Sequence, residues 1–320
     1  MLIIILLLLH MGLASSSPAW FFPRRICTGL GDRIGTWLTL ASLARLQNAT
    51  VFTVWCHDPS FMMPEIRVHI PEWHGYTYSI PDLHSSLGLP AEIVILHNDT
   101  GLGLPNVTEG HAAPAIAGFD AVYTIAWQTM RLGSDPVDAS LYAGVYREVT
   151  RPMLARAAMK MGNEGYTAVH IRGPDDNTYA FANTKYQFCT RKVLIRLRRM
   201  RARLLVVTNN VSWTVSKFGS VLPPGSLDYV PDPLEDWTVL LGASAIVQHA
   251  WEGWSAYSSV AAMAGGIPLL TTYSGSLHRY DAISRYGRVP EEFYTCSRMN
   301  EFFMLHVENH REVEDGPVEI

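Results

Sequence analysis

Cysteine is scarce in this chain. There are four among 320 residues, Cys27, Cys56, Cys189 and Cys296, and no two have the Cys-x-x-Cys spacing of a metal or redox site. Charge is thin as well, at 17% Asp, Glu, Lys and Arg, and it is nearly balanced, with a net charge of −4. That balance removes nucleic acid as an expected partner. The lysine-bearing phosphate loop and the Gly-x-Ser-x-Gly elbow are both missing. No Asp-x-Asp pair occurs, so nothing suggests a diphosphate held through a metal ion, and no residue is assigned to a metal. Internal repeats and low-complexity segments are absent too, and a hydrophobic content of 48% fits a buried globular core rather than a disordered chain.

Four thiols can pair in three ways. Pairing within each half of the chain gives Cys27–Cys56 and Cys189–Cys296, which requires an oxidising compartment. The front of the chain agrees with one. Met1 to Leu13 is almost wholly apolar, interrupted at His10, and small residues follow at Ala14 to Ser17. The run is too short to span a bilayer and reads as a signal-peptide core or a shortened signal-anchor over residues 1–19. Four Asn-x-Ser/Thr sequons, at Asn48, Asn98, Asn106 and Asn210, point the same way. The expected location is the lumen of the Golgi or endoplasmic reticulum, or outside the cell.

The length exceeds what one growing core usually holds, so two domains are expected. The first, residues 20–134, opens with a candidate strand at Arg25 to Cys27 and a Gly-rich turn from Thr28 to Gly35. Apolar residues at helical spacing follow from Trp37 to Leu46, then a β-forming run from Thr50 to Trp55. Ile93 to Leu96 and Ala121 to Ala126 read as further buried strands. Asp135 and Pro136 form a helix start, and that helix runs to about Met161.

The second domain, residues 135–300, alternates strands and helices. The strands are Ala168–Ile171, Leu204–Thr208, Ala245–Gln248 and Ile267–Thr272. The helices are Arg191–Met200, Glu235–Gly242 and Ser255–Ala264. Nearly all-apolar strands that alternate with helices describe a doubly wound parallel sheet. Residues 301–320 form a C-terminal segment that is acidic from Glu308 on.

The informative decapeptide is Tyr166 to Asp175, Y-T-A-V-H-I-R-G-P-D. In a strand His170 and Arg172 share one face. At a strand end, an imidazole beside a planar, always-charged guanidinium suits a phosphate group, whereas a plain surface strand would use Arg172 in a structural pair with Asp175 or Asp176. Thr208 and Asn209 end another buried strand in polar groups, where parallel sheets bind ligands, or they simply open a turn. Asp236 starts a helix, and Ser255 and Ser258 open another whose free N–H groups make a phosphate cradle. Both Asp236 and Ser255 are also ordinary helix caps. Gly29, Gly31 and Arg33 form a turn that lets backbone approach a ligand, although the spacing does not match a dinucleotide fingerprint. The seven Lys and Arg residues between Arg191 and Arg203 carry no interleaved aromatics and read as a solvated helix face.

Taken in order, these segments resemble the nucleotide-sugar-binding half of the fucosyltransferase-like GT-B glycosyltransferases. The likeness rests on His170-x-Arg172 with Asp175, on the strand ending at Asn209 where that family usually has Asp, and on Asp236 followed by Ser255-Ala-Tyr-Ser258. It covers roughly residues 24 to 275, with Gly29-Leu-Gly31 similar to the family's opening turn. The resemblance implies two Rossmann-like domains facing a cleft. It implies metal-independent, inverting transfer of fucose from GDP-fucose to a glycan or glycoprotein, with no separate cofactor; the apolar N-terminal run, read as a signal-anchor, adds the alternative of membrane association. Arg172 would meet the diphosphate, His170 and Asp236 would hold the nucleotide, and Ser255 and Ser258 would bind phosphate. Asp32, placed in the Gly turn, is the candidate general base. The alternatives are a GT-B enzyme with another nucleotide sugar, or a non-catalytic carbohydrate-binding protein of the same fold.

Overall fold

The computed structural model describes residues 19–22, 30–54, 87–96, 122–124, 136–162, 165–173, 184–227, 233–250, 255–272 and 292–308. Short strands without polar alternation dictate the architecture, because a strand that is apolar on both faces must be covered on both faces. The strands form two sheets, and every pairing in them is parallel. The first sheet contains β1 (Ala19–Phe22), β2 (Thr50–Val54), β3 (Ile93–Leu96) and β4 (Val122–Thr124), in the order β3-β2-β1-β4. The second contains β5 (Thr167–Arg172), β6 (Leu204–Thr208), β7 (Ala245–Ala250), β8 (Leu269–Thr271) and β9 (Phe293–Thr295), in the order β6-β5-β7-β8-β9. The expected α/β class of two Rossmann-like sheets is therefore what the chain forms.

Parallel strands need crossovers, and helices supply them. They are α1 (Leu30–Leu46), α2 (Pro136–Met161), α3 (Thr184–Arg199), α4 (Val211–Phe218), α5 (Pro233–Leu241) and α6 (Ala256–Gly265). A 3₁₀ turn (Cys296–Arg298), α7 (Met299–Phe303) and one π-helical turn (Met304–Glu308) follow β9. The helix expected from Pro136 to Met161 and the strands at Ile93–Leu96 and Leu204–Thr208 have the anticipated bounds.

One expectation needs correction, and one falls outside the described residues. The first strand among the described residues is Ala19–Phe22; the strand expected at Arg25–Cys27 lies outside the described residues. Three successive aromatics with high β-propensity occupy it, and Ala19 is fully buried between β2 and β4. Ala19 thus belongs to a central strand, at the last position of the segment read as a signal. α1 starts at Leu30, inside the Gly-rich turn, rather than at Trp37. In the C-terminal segment Phe302 and Phe303 are fully buried. Residues 1–18 and 309–320 lie outside the described residues.

In its own sequence order the second sheet runs 2-1-3-4-5, so the order reverses between β5 and β7. In open parallel sheets ligands bind beyond the carboxyl ends of the strands at such a switch point. One face of this sheet packs into a core with Val193 and Leu197 of α3, Phe218 of α4, and Phe302 and Phe303 of α7. The other face joins a core that runs on into the first half. There Ile34 and Trp37 of α1, Val149 and Met153 of α2, Trp237 of α5 and Val260 of α6 form one cluster.

Charge trims the outside. Arg196, from the basic run on α3, pairs with Glu308 at 2.6 Å, Arg198 donates to the Ser220 carbonyl at 3.1 Å and Arg191 donates to that of Lys217. The run is thus spent on local contacts, as a solvated helix face would be. No helix among the described residues is long and apolar enough to cross a membrane.

Cys189 of α3 and Cys296 of the 3₁₀ turn form a disulfide, closing 107 residues of sequence. Cys27 and Cys56 lie outside the described residues. A crosslink across so long a loop removes much chain entropy from the unfolded state. Replacing Cys189 and Cys296 together with Ala should lower unfolding free energy by about 2–5 kcal/mol. Guanidinium titrations of both proteins, with and without reductant, check this; an unchanged midpoint would show the bridge to be dispensable.

Candidate functional site

Alternation along β5 sorts its side chains. Val169 and Ile171 enter the core shared with α3, while Ala168 enters the core shared with α6. His170 and Arg172 follow Ala168 at period 2 and so face α6. The register confirms the neighbourhood: His170 lies opposite Gln248, and Arg172 opposite Ala250, the last residue of β7. Arg172, half-buried, therefore stands at the carboxyl end of the sheet and at its switch point.

The first half reaches the same place through Gly31. A Cβ on Gly31 would sit 2.3 Å from Tyr257 Cα and 2.4 Å from Tyr257 N. Backbone cannot yield as a side-chain tip can, so only glycine fits. The first turn of α1 thus abuts the first turn of α6. Each turn ends in N–H groups without helical partners and carries roughly half a positive elementary charge. Each helix also starts at the carboxyl edge of the sheet it crosses from, so the two edges share one crevice. Positive ends brought this close favour an anion between them.

Around this junction the polar groups are buried and bonded. His170 Nδ1 lies 2.9 Å from Ser258 Oγ, and the ring is 5% exposed. The two N–H groups of the Gln248 amide are shared among three acceptors, Ser255 O at 3.0 Å, Ser258 Oγ at 2.7 Å and Ser259 Oγ at 2.8 Å. Tyr257 is 5.5 Å from the His170 ring and 5.4 Å from the Trp237 ring. Ser255 sits at the N-cap of α6 with extended backbone, but its Oγ is buried and has no hydrogen-bond partner. Burial, then the Arg172 charge, then His249, push the His170 pKa down to about 3, so the ring is neutral at ordinary pH.

Gly31, His170, Arg172, Ser255 and Ser258 are therefore brought together. The hydroxyl of Ser258 is engaged inside the protein by His170 and Gln248. Thr208 is not part of the group: it pairs with Ile171 in the sheet, faces α4, and bonds Thr214 at 2.8 Å. Strand alternation turned it to the far side. Asn209 clamps the residue after Arg172, taking the Gly173 N–H at 2.8 Å and donating to the Gly173 carbonyl at 3.3 Å. A carboxamide offers both an acceptor and a donor, whereas an ionised carboxylate only accepts, which accounts for Asn in place of an acid.

Asp236 is half-buried in the first turn of α5, after a helix start at Pro233, so it is not the cap. Its neighbour Trp237 touches Tyr257. Asp32 and Arg33 belong to the first turn of α1 by backbone, and their side chains, with Gly29, Asp175 and Asp176, lie outside the described residues. Sequence reasoning overlooked Gln248, although an amide inside the apolar run Ala245–Ala250 was a visible signal. It assigned no role to Tyr257 or Gly173, although both lie inside the quoted segments, because their contacts with Gly31 and Asn209 appear only in the fold. Among the described residues no group of His, Cys, Asp and Glu could hold a metal ion.

No known protein family and no curated protein matches the chain. Among solved structures it is similar to E. coli heptosyltransferase WaaC with ADP, at 14% identity and a TM-score of 0.40, over 92% of this chain and 98% of that one. It is also similar to a glycosyl transferase family 9 protein from Veillonella parvula, at 12% identity and a TM-score of 0.40, over 89% and 88% of the two chains. A third is POFUT1 in complex with GDP, at 10% identity and a TM-score of 0.37, covering 88% and 98%. These are remote likenesses.

A second buried histidine lies on the opposite face of the sheet. His249 Nδ1 is 2.7 Å from Thr190 Oγ1, its Nε2 is buried without a partner, and burial lowers its pKa to about 4. Both rings thus have folded pKa values below the unfolded value of about 6.5. Their contribution to stability is complete above about pH 6.5 and is lost as pH falls toward 4 and 3, because the unfolded chain takes up protons first. The expected slope is roughly 1.4 kcal/mol per pH unit for each ring. Urea unfolding between pH 7 and pH 4.5 should show it, and His249→Gln should reduce the slope by about half; a stability independent of pH in that window would contradict the burial argument.

Proposed function

We propose that this chain is a glycosyltransferase that takes a nucleotide sugar and transfers its sugar to a glycan or glycoprotein hydroxyl. GDP-fucose is the donor of first choice, the transfer is inverting, and the site works in the lumen of the secretory pathway. The single observation that carries the reading is the junction where Arg172 stands beside the abutting first turns of α1 and α6. Three sources of positive charge there meet one crevice at a topological switch point, the place for a diphosphate.

The chemistry follows from that charge. As the bond between the sugar carbon and the diphosphate oxygen breaks, negative charge grows on the leaving phosphate. Arg172 and the positive N-terminal end of α6 oppose it without reorganising, which is where preorganised groups act most strongly. The buried Ser255 hydroxyl offers a further hydrogen bond at the same helix end. His170 and Asp236 hold the nucleotide, with Asp236 accepting from guanine. The acceptor hydroxyl attacks from the opposite side of the sugar carbon, and its proton passes to a base, for which Asp32 in the first turn of α1 is the candidate. No metal is invoked, because the leaving group's charge is met by protein groups. The Gly173 clamp explains Asn209 structurally, so the missing acid does not argue for a protein that has lost catalysis.

A panel of sugar nucleotides, assayed for transfer and for hydrolysis, decides the matter. GDP should raise the melting temperature, and GDP-fucose should be turned over in the presence of EDTA. Arg172→Ala should lower turnover by about 10²–10³. Binding of GDP without turnover of any donor would favour a non-catalytic carbohydrate-binding protein, turnover of another donor would reassign the sugar, and the absence of any nucleotide binding would refute the proposal.

A further inference from the structure

The sheet face beneath α6 holds one polar device that the transfer chemistry above does not use. Gln248 is fully buried in the middle of β7, in register with His170 on β5. An amide placed there costs free energy unless its donors and acceptor are met. All of them are, and the way they are met fixes more than stability.

The orientation of the amide is set by its neighbours. Ser255 O, 3.0 Å from the Gln248 nitrogen, is a backbone carbonyl and can only accept. The nitrogen therefore faces α6, and Oε1 faces Thr271, whose hydroxyl lies 3.4 Å away. The same nitrogen lies 2.7 Å from Ser258 Oγ, so it donates to that oxygen. Ser258 Oγ, already accepting from that nitrogen, keeps its own proton to donate, and His170 Nδ1, 2.9 Å away, is the acceptor placed to take it. A ring nitrogen that accepts carries no proton, so in a neutral imidazole the proton sits on the other nitrogen.

We infer that Gln248 and Ser258 are positioning residues that hold His170 as the neutral tautomer protonated at Nε2, so that the ring offers the crevice a hydrogen-bond donor and is withheld from acting as a general base. The chain of donation runs one way, from strand β7 through α6 to strand β5. It also ties the first turn of α6 to the sheet, since Gln248 touches Ser255, Ser258 and Ser259 together. Burial keeps the ring from taking a second proton. What the Nε2 proton meets rests on the transferase reading, in which it is an oxygen of the bound nucleotide. The tautomer itself does not rest on it.

The test is imidazole nitrogen NMR on the full chain labelled with ¹⁵N-histidine. Comparison with His170→Gln identifies the His170 signals among those of the 12 histidines. The expected wild-type pattern is an unprotonated Nδ1 and a protonated Nε2, constant from pH 5 to pH 8. Ser258→Ala and Gln248→Met should each replace that pattern with averaged shifts of two tautomers. The His249 signals, from the opposite face of the sheet, should not move, which reports an intact fold. A wild-type ring protonated at Nδ1, or a pattern unchanged in both variants, would overturn the inference; if neither variant folds, the wild-type pattern alone decides. The measurement needs no ligand, so a chain that fails to bind GDP while keeping this pattern refutes the transferase reading and leaves the positioning roles in place.

Discussion

The molecule depends on one place where a side chain cannot exist. At Gly31 the backbone of α6 occupies the volume a Cβ would need, and this contact fixes how the first half meets the second. The crevice follows from it. The carboxyl edges of two parallel sheets meet there, and two helix N-termini lie side by side where their charges repel unless something anionic lies between them. The apolar core that links α1, α2, α5 and α6 holds the two ends in that arrangement. The cost of apposing like poles is thus carried by hydrophobic burial elsewhere, as is common where a site departs from what local stability alone would select.

Polar groups are spent sparingly inside this frame. Each strand end that bears on the crevice has its polar atoms tied by short bonds: His170 through Ser258, Gly173 through Asn209, and the first turn of α6 through Gln248. Among the described residues, Ser255 Oγ is one of the few buried polar atoms left without a partner. An unmet hydroxyl is costly in a closed interior and useful beside a ligand oxygen. The neutral state of His170 belongs to the same economy, because a second positive charge beside Arg172 would be opposed by burial and by Arg172 itself.

Much of the architecture was legible from local pattern. The helix from Pro136 to Met161 and the strands at Ile93 and Leu204 follow from start signals and apolar runs, which are properties of adjacent residues. The strand Ala19–Phe22 was harder to read, since it adjoins an apolar run in the sequence and only sheet pairing marks it out. α4 was hidden because it is short and rich in β-branched residues, and its start depends on Asn210 accepting from the Trp213 N–H. β9 and the turns after it were hidden because their apolar residues find partners only across the sheet.

The sequence by itself determined the class of the fold, the pairing of His170 with Arg172 on one strand face, and the small residues that let α6 lie close to the sheet. These depend on periods of two and of about three and a half residues, which any reader of the chain can count. The tertiary structure alone decided that Gly31 meets Tyr257, that Thr208 turns away while Asn209 reaches back to Gly173, and that a buried amide at position 248 stands opposite the histidine. Such contacts join residues tens to hundreds of positions apart, and no local propensity encodes which of them will come to lie within a hydrogen bond of one another.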